Sequence, residues 1–381
     1  MTGPLKGLRL IEIVGIGPAP FAAMLLADLG AEVIRVDRAT GRGPMSGSGG
    51  PFDFLGRNRR SIAVDLKHAA GAETVLRLAE HADGLIEGFR PGVAERLGIG
   101  PDDCFARNQA LVYGRMTGWG QEGPLASEVG HDLNYLALTG VLHGIGAEGG
   151  PPVPPLNVVG DFGGGGLWLA FGMLAALHER RESGRGQVID AAMIDGASAL
   201  GATIHGVSQM GYWREERGTN LLDGGAHFYG CYETRDGKWM SVGALEPQFY
   251  AELLSCLGLG EEDLPDQMDQ SAWPAMKERF AAIFETRTRD EWCDVFAGRE
   301  VCAAPVLTMP EALEHPHHEA RGTFVPFEGA RPPAPGPRFS RTPGALRSVA
   351  ANPGEHTDEV LADWGFSADE LRQLRADGAI S

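Results

Sequence analysis

In the first third of the chain, apolar residues fall into short blocks separated by glycine and charged turns. Residues 8–14 read as a buried strand, Gly15-Ile16-Gly17-Pro18 as a turn, 21–29 as a helix closed by Gly30, and 32–36 as a second strand ending at Asp37-Arg38. A strand, a helix and a strand in that order form a βαβ unit, with both strands parallel in one sheet. Further strands are predicted at 61–66, 84–87 and 111–116, and a helix at 69–80. From Leu167 to Leu177 apolar positions recur at helical spacing, predicting a helix over 167–182 capped by Ser183-Gly184. A strand begins at Val188, and a helix follows over 197–210.

The pattern changes after Gly224. Alternating residues on either side of Asp236-Gly237 predict a hairpin over 228–242, and amphipathic helices follow at 247–257, 273–284 and 290–296. The expected organisation is a large doubly wound α/β domain over 1–200 and a linker helix over 201–224. A small α+β domain over 225–319 and a Pro-rich linker over 320–343 follow, and then a C-terminal segment, 344–381, returns to the large domain with a helical stretch at 359–380.

At 381 residues, with 43% hydrophobic residues, the chain can bury more than one core. Its net charge of -18 argues against a nucleic-acid or anionic-membrane surface, although a local basic pocket remains compatible. No uncharged apolar run is long enough to span a bilayer, and the N-terminus carries no secretory pattern, so a cytoplasmic protein without a membrane partner is expected. The five cysteines are scattered without CxxC spacing and read as reduced packing residues. His315-Pro316-His317-His318-Glu319 looks metal-like, but a proline interrupts it and no ligand spacing supports it; a surface loop without metal is expected.

Gly15-Ile16-Gly17 after a strand, with Asp37 at the end of the next, imitates a dinucleotide fingerprint. Pro20 replaces the third glycine and Pro18 removes a backbone donor, so the turn argues for a doubly wound sheet without NAD. Arg38, Arg57, Arg59, Arg60, Lys67, Arg90 and Arg96 fall near strand ends. They are either ordinary surface charge or a shared crevice able to hold phosphates. His131 stands before a helix-like stretch, as an exposed loop histidine or as a base, and Asp132 can cap that helix. Asp161 precedes four glycines and a helix. It is either an N-cap or a carboxylate stabilised by a helix start, with the glycines letting a ligand come close. Glu246 precedes Pro247, as a capping acid or as a carboxylate that fixes the tautomer of an imidazole.

At these residues the chain resembles the alpha-methylacyl-CoA racemases of the family III CoA-transferase superfamily. The resemblance runs nearly end to end. It includes Pro4-Leu5-Lys6-Gly7-Leu8-Arg9, Gly88-Phe89-Arg90-Pro91-Gly92, Arg115-Met116-Thr117-Gly118-Trp119-Gly120, the segments around His131 and Asp161, and Gly243-Ala244-Leu245-Glu246-Pro247-Gln248. It implies the fold of that superfamily and an interlocked homodimer acting on an acyl-CoA thioester, with CoA entering as part of the substrate rather than as a cofactor. It implies racemisation by 1,1-proton transfer at the alpha carbon. His131 and Asp161 would be the two bases, and Glu246 would orient the imidazole, from its own subunit or the partner. CoA would lie across Arg38, Val64, Asp65, Leu66, Lys67, Gly88, Phe89, Arg90, Arg96 and the loop Gly130, Asp132, Leu133, Asn134, Tyr135. The alternative within the superfamily is CoA transfer between carboxylates through an acyl intermediate on Asp161. His131 together with Glu246 favours the racemase.

Overall fold

The computed structural model describes residues 2–39 and 49–381. Two compact units are built from interleaved segments: Met1–Thr139, Leu156–Gly201 and Arg321–Ser381 form one, and Gly140–Pro155 with Ala202–Ala320 the other.

The first unit holds a six-stranded parallel sheet: β1 (Arg9–Ile13), β2 (Glu32–Arg38), β3 (Arg60–Val64), β4 (Gly84–Glu87), β5 (Val112–Thr117) and β6 (Val188–Ala192). Their spatial order, β3-β2-β1-β4-β5-β6, is that of a doubly wound sheet. The direction of winding reverses between β1 and β4, which leaves a crevice beyond their carboxyl ends. Strands β1 to β5 are buried on both faces, as parallel strands covered by helices are, whereas the edge strand β6 is exposed at Val188 and Asp190. Ile11, Ile34, Leu85 and Tyr113 face a core shared with helix Ala69–Ala79 and the C-terminal residues Val360 and Trp364. Their neighbours Leu10, Val33, Ile86 and Val112 face the opposite core, with Leu26, Leu169 and Met173.

Val158–Ser183 is one continuous helical stretch, long and apolar enough by composition to cross a membrane. Its Leu169, Ala170, Met173 and Leu177 are buried in the second of these cores, the packing of a central helix. Gly184, at φ 71, ends it in the left-handed conformation, as the sequence predicts. The expected 197–210 helix is two helices, Met193–Leu200 and Ala202–Gln209, separated at Gly201.

Three of the basic residues grouped by sequence are structural. Arg57 clasps Asp28 with its Nε at 3.0 Å, Arg59 pairs with the buried Glu12, and Arg60 bonds Glu359 at 2.9 Å and Asp363 at 2.7 Å. Partners separated by long stretches of chain, which no local pattern records, withdraw these three from any phosphate site. The predicted linker around 331–343 also packs on this unit: the Pro333 carbonyl accepts from Arg57 Nη1 at 2.9 Å.

The second unit carries the predicted hairpin, β7 (Tyr229–Glu233) and β8 (Trp239–Gly243), turning through Gly237 at φ 71. It also has an unpredicted edge strand, β9 (Ala303–Val306), antiparallel to β8. Pro305 is tolerated there because β9 pairs on one side only. Helices Pro247–Cys256, Trp273–Phe284 and Arg289–Phe296 cover the sheet, burying Phe228, Phe280, Phe284 and Trp292.

Candidate active site

A cavity of about 1410 Å³ opens at the switch point of the parallel sheet, beyond the carboxyl ends of β1, β4 and β5. Its wall includes Gly15–Pro18, Gly88–Arg90, Met116–Trp119, His131, Asp132, Tyr135, Asn157 and Asp161. The structure therefore brings together the two side chains singled out as bases.

His131 is the N-cap residue of helix Asp132–Leu138, with an extended backbone at φ -135 and ψ 173. Its N–H donates to Asn134 Oδ1 at 3.1 Å, whereas its imidazole makes no capping bond and is exposed. Asp132, expected as a possible cap, is instead the first helical residue. Its buried carboxylate Oδ1 accepts the backbone N–H of Asp161 at 2.7 Å. One aspartate thus ties the segment carrying one base to the segment carrying the other.

Asp161 does not cap a helix. It lies inside the first turn of a π-helical segment, Val158–Leu167, that runs directly into helix Trp168–Ser183. A π-helical turn is uncommon and concentrates at functional positions. Asn157 Nδ2 donates to Asp161 Oδ2 at 3.2 Å. Partial burial pushes the Asp161 carboxyl above the usual carboxylate range, and the nearby Asp132 charge adds to this; the Asn157 bond and His131 oppose it. A carboxylate so placed is a stronger base than one in water.

The glycine run serves packing more than ligand approach. A Cβ on Gly164 would stand 2.5 Å from Ala197 N, on Gly165 2.8 Å from Met193 Cγ, and on Gly166 2.6 Å from the Pro18 carbonyl. Gly160 meets Asp132 Oδ1 at 2.4 Å on the same construction. Gly17, at φ +66, leaves only 3.2 Å between its hypothetical Cβ and Asp161 Oδ2. The turn that imitates a dinucleotide fingerprint thus makes room for a carboxylate. Asp37, which would have met a ribose, is buried and holds Arg35 at 2.7 Å.

The residues expected along CoA divide. Arg38, Lys67, Arg90 and Arg96 are exposed near the ends of β2, β3 and β4, and Arg90 lines the cavity. Val64 ends β3 and bridges to Ile380, Asp65 Oδ1 accepts the Lys67 N–H at 2.9 Å, and Leu66 is half-buried against the core. Leu133 and Asn134 are exposed on the helix after His131. Gly88 and Phe89 form the turn after β4, which the buried Glu87 holds by accepting the Phe89 N–H at 2.6 Å, while Arg115 bonds Glu87 at 3.0 Å. Neither Glu87 nor Arg115 was singled out by sequence. Asn157 was also missed, although its spacing four residues before Asp161 is a signal once the helix is known to begin at Val158.

Glu246 lies in the second unit as the N-cap residue of Pro247–Cys256, without a side-chain cap hydrogen bond, and is exposed. The capping role is therefore absent. The histidine tract falls in a short helix, Pro316–Arg321, rather than a loop, and no cluster of three metal-ligating side chains occurs among the described residues.

The model of CoA-transferase family III matches residues 5–357. The chain belongs to this family. Its relatives include the alpha-methylacyl-CoA racemase of Mus musculus, 48% identical over 98% of this chain and 96% of that protein. The Homo sapiens protein of the same name is 45% identical over 99% and 97%. The crystal structure of a CAIB/BAIF family protein from Brucella suis superposes with a TM-score of 0.82, covering 96% of this chain and all of the other; at 24% identity it speaks for the fold alone.

Proposed function

We propose that this protein is an alpha-methylacyl-CoA racemase, interconverting (R)- and (S)-2-methylacyl-CoA thioesters by removing and returning the alpha proton. The observation that carries this reading is the cavity at the switch point, which His131 and Asp161 enter from two different helix starts. The near full-length identity to the mouse and human racemases supports it.

Chemistry sets what such a site must do. A thioester alpha proton is less acidic than imidazolium or a carboxylic acid by roughly ten pK units or more, and at about 1.4 kcal/mol per unit its removal costs at least about 14 kcal/mol before any intrinsic barrier. Raising a base by a unit or two closes little of that gap, so stabilising the enolate oxygen has to supply most of it. As the first residue of its helix, Asp132 has a backbone N–H outside the helical ladder, and we assign it to the thioester oxygen. One base takes the proton, the enolate flattens the carbon, and the other base returns a proton on the opposite face. Glu246 orients the His131 imidazole, and the protein works as a homodimer. Arg38, Lys67, Arg90 and Arg96, exposed near the ends of β2, β3 and β4, are the cations offered to the CoA phosphates.

The test is incubation of each epimer of a 2-methylacyl-CoA in D₂O, read by NMR. Deuterium should enter the alpha carbon and both epimers should form without any acceptor. Retained alpha protons, with CoA moving only when a carboxylate acceptor is added, would instead identify a transferase that uses Asp161 as nucleophile.

A further inference from the structure

We infer that Tyr135 is a positioning residue for His131, acting through the Gly130 carbonyl rather than by touching CoA; this rests on the two-base reading above. The Tyr135 hydroxyl donates to the carbonyl of Gly130, the peptide that leads into His131. That donation uses the only proton a phenol has. The ring is wedged between two glycines. A Cβ on Gly118 would fall 2.0 Å from the ring's Cε1, and one on Gly130 2.7 Å from it. Trp119 closes the remaining side edge-on, with ring centroids 4.7 Å apart at 85°. Tyr135 is 7% exposed, whereas the His131 ring stands exposed without a capping bond.

The backbone is therefore where this unit grips His131. Its N–H is held by Asn134 Oδ1 at 3.1 Å, and the carbonyl before it by Tyr135. Turning the 130–131 peptide plane would swing the His131 Cβ and carry the imidazole off the alpha carbon. Burial and the Asp161 charge push the Tyr135 hydroxyl above its ordinary range, so it remains a donor wherever the two bases work.

The two-base scheme gives this role a signature. Losing the grip disturbs the step served by His131, yet leaves Asp161 able to remove a proton from one epimer and exchange it with solvent. Tyr135→Phe keeps the ring in its slot and removes the donated bond. In D₂O we expect interconversion to fall about ten- to a hundredfold in both directions, while one epimer still exchanges its alpha proton at near the original rate. The KM and the affinity for CoA should hold, and the His131 ring resonances should shift or broaden. Gly118→Ala, which pushes the ring from the other side, should give the same split.

A CoA affinity weakened in step with turnover, with exchange and inversion falling equally, would place the phenol on the substrate and overturn the inference. Unchanged His131 resonances in both variants would overturn it too, and that readout needs no turnover. A wild-type protein that neither exchanges nor inverts would instead sink the racemase reading itself.

Discussion

Replacing Gly160 with alanine tests the brace between the two bases. Within a helical segment the exchange is ordinarily favourable, by about 0.4–1 kcal/mol, because the unfolded chain loses freedom. Here the new methyl would lie 2.4 Å from Asp132 Oδ1 and 3.2 Å from the Asp132 carbonyl. The carboxylate must swing away, which breaks its 2.7 Å bond to the Asp161 N–H. A hydrogen bond to a charged group contributes about 1.5–3 kcal/mol, so the loss exceeds the gain and the variant should be destabilised by about 1–2 kcal/mol. Because both bases hang on this bond, a displacement approaching 1 Å at Asp161 should lower turnover up to about a hundredfold. Urea unfolding and alpha-proton exchange in D₂O read the two effects. A variant at least as stable as wild type, exchanging at the wild-type rate, would show that the brace does not hold the site.

Asn157→Ala removes the hydrogen bond that opposes burial at Asp161, so the carboxyl should move further above the ordinary range. For the epimer that Asp161 deprotonates, activity requires the ionised form, and the acidic limb of its kcat/KM profile should move to higher pH. The opposite epimer needs Asp161 protonated, so its basic limb should move up as well; unmoved limbs would remove Asn157 from the electrostatics of the site. Arg57 and Arg90 should separate stability from binding. Arg57→Ala strands the buried Asp28 and should cost about 3–5 kcal/mol in urea unfolding without altering CoA affinity. Arg90→Ala should weaken CoA about ten- to a hundredfold in titration and leave stability unchanged; the reverse pattern would exchange their roles.

The parallel sheet was legible because its strands are apolar blocks set off by turns, and β4 at Gly84–Glu87 appears where the pattern places it. Strand order is not local information, yet it fixes the switch point and hence the cavity. His131 and Asp161 were legible as residue types at helix starts, and their neighbours follow from that. Their supports were not. Asp132 reaches Asp161 across 29 positions, and Arg57 reaches Asp28 across a similar span. The glycine run misled for a physical reason: small residues signal close approach without saying to what. Here Ala197, Met193 and Pro18 are the neighbours. Edge strand β9 escaped notice because it is short and carries a proline.

The packed glycines bear on how such a protein can change over generations. At positions 160 and 164–166 a single added carbon meets neighbouring atoms, so the ground beneath the carboxylate base is closed to mutational drift. Ile16, Val129 and Leu138 line the same cavity from its exposed rim and belong to neither core of that unit. New acyl preferences would therefore arise along this margin, where side chains can be exchanged without disturbing the proton chemistry beneath.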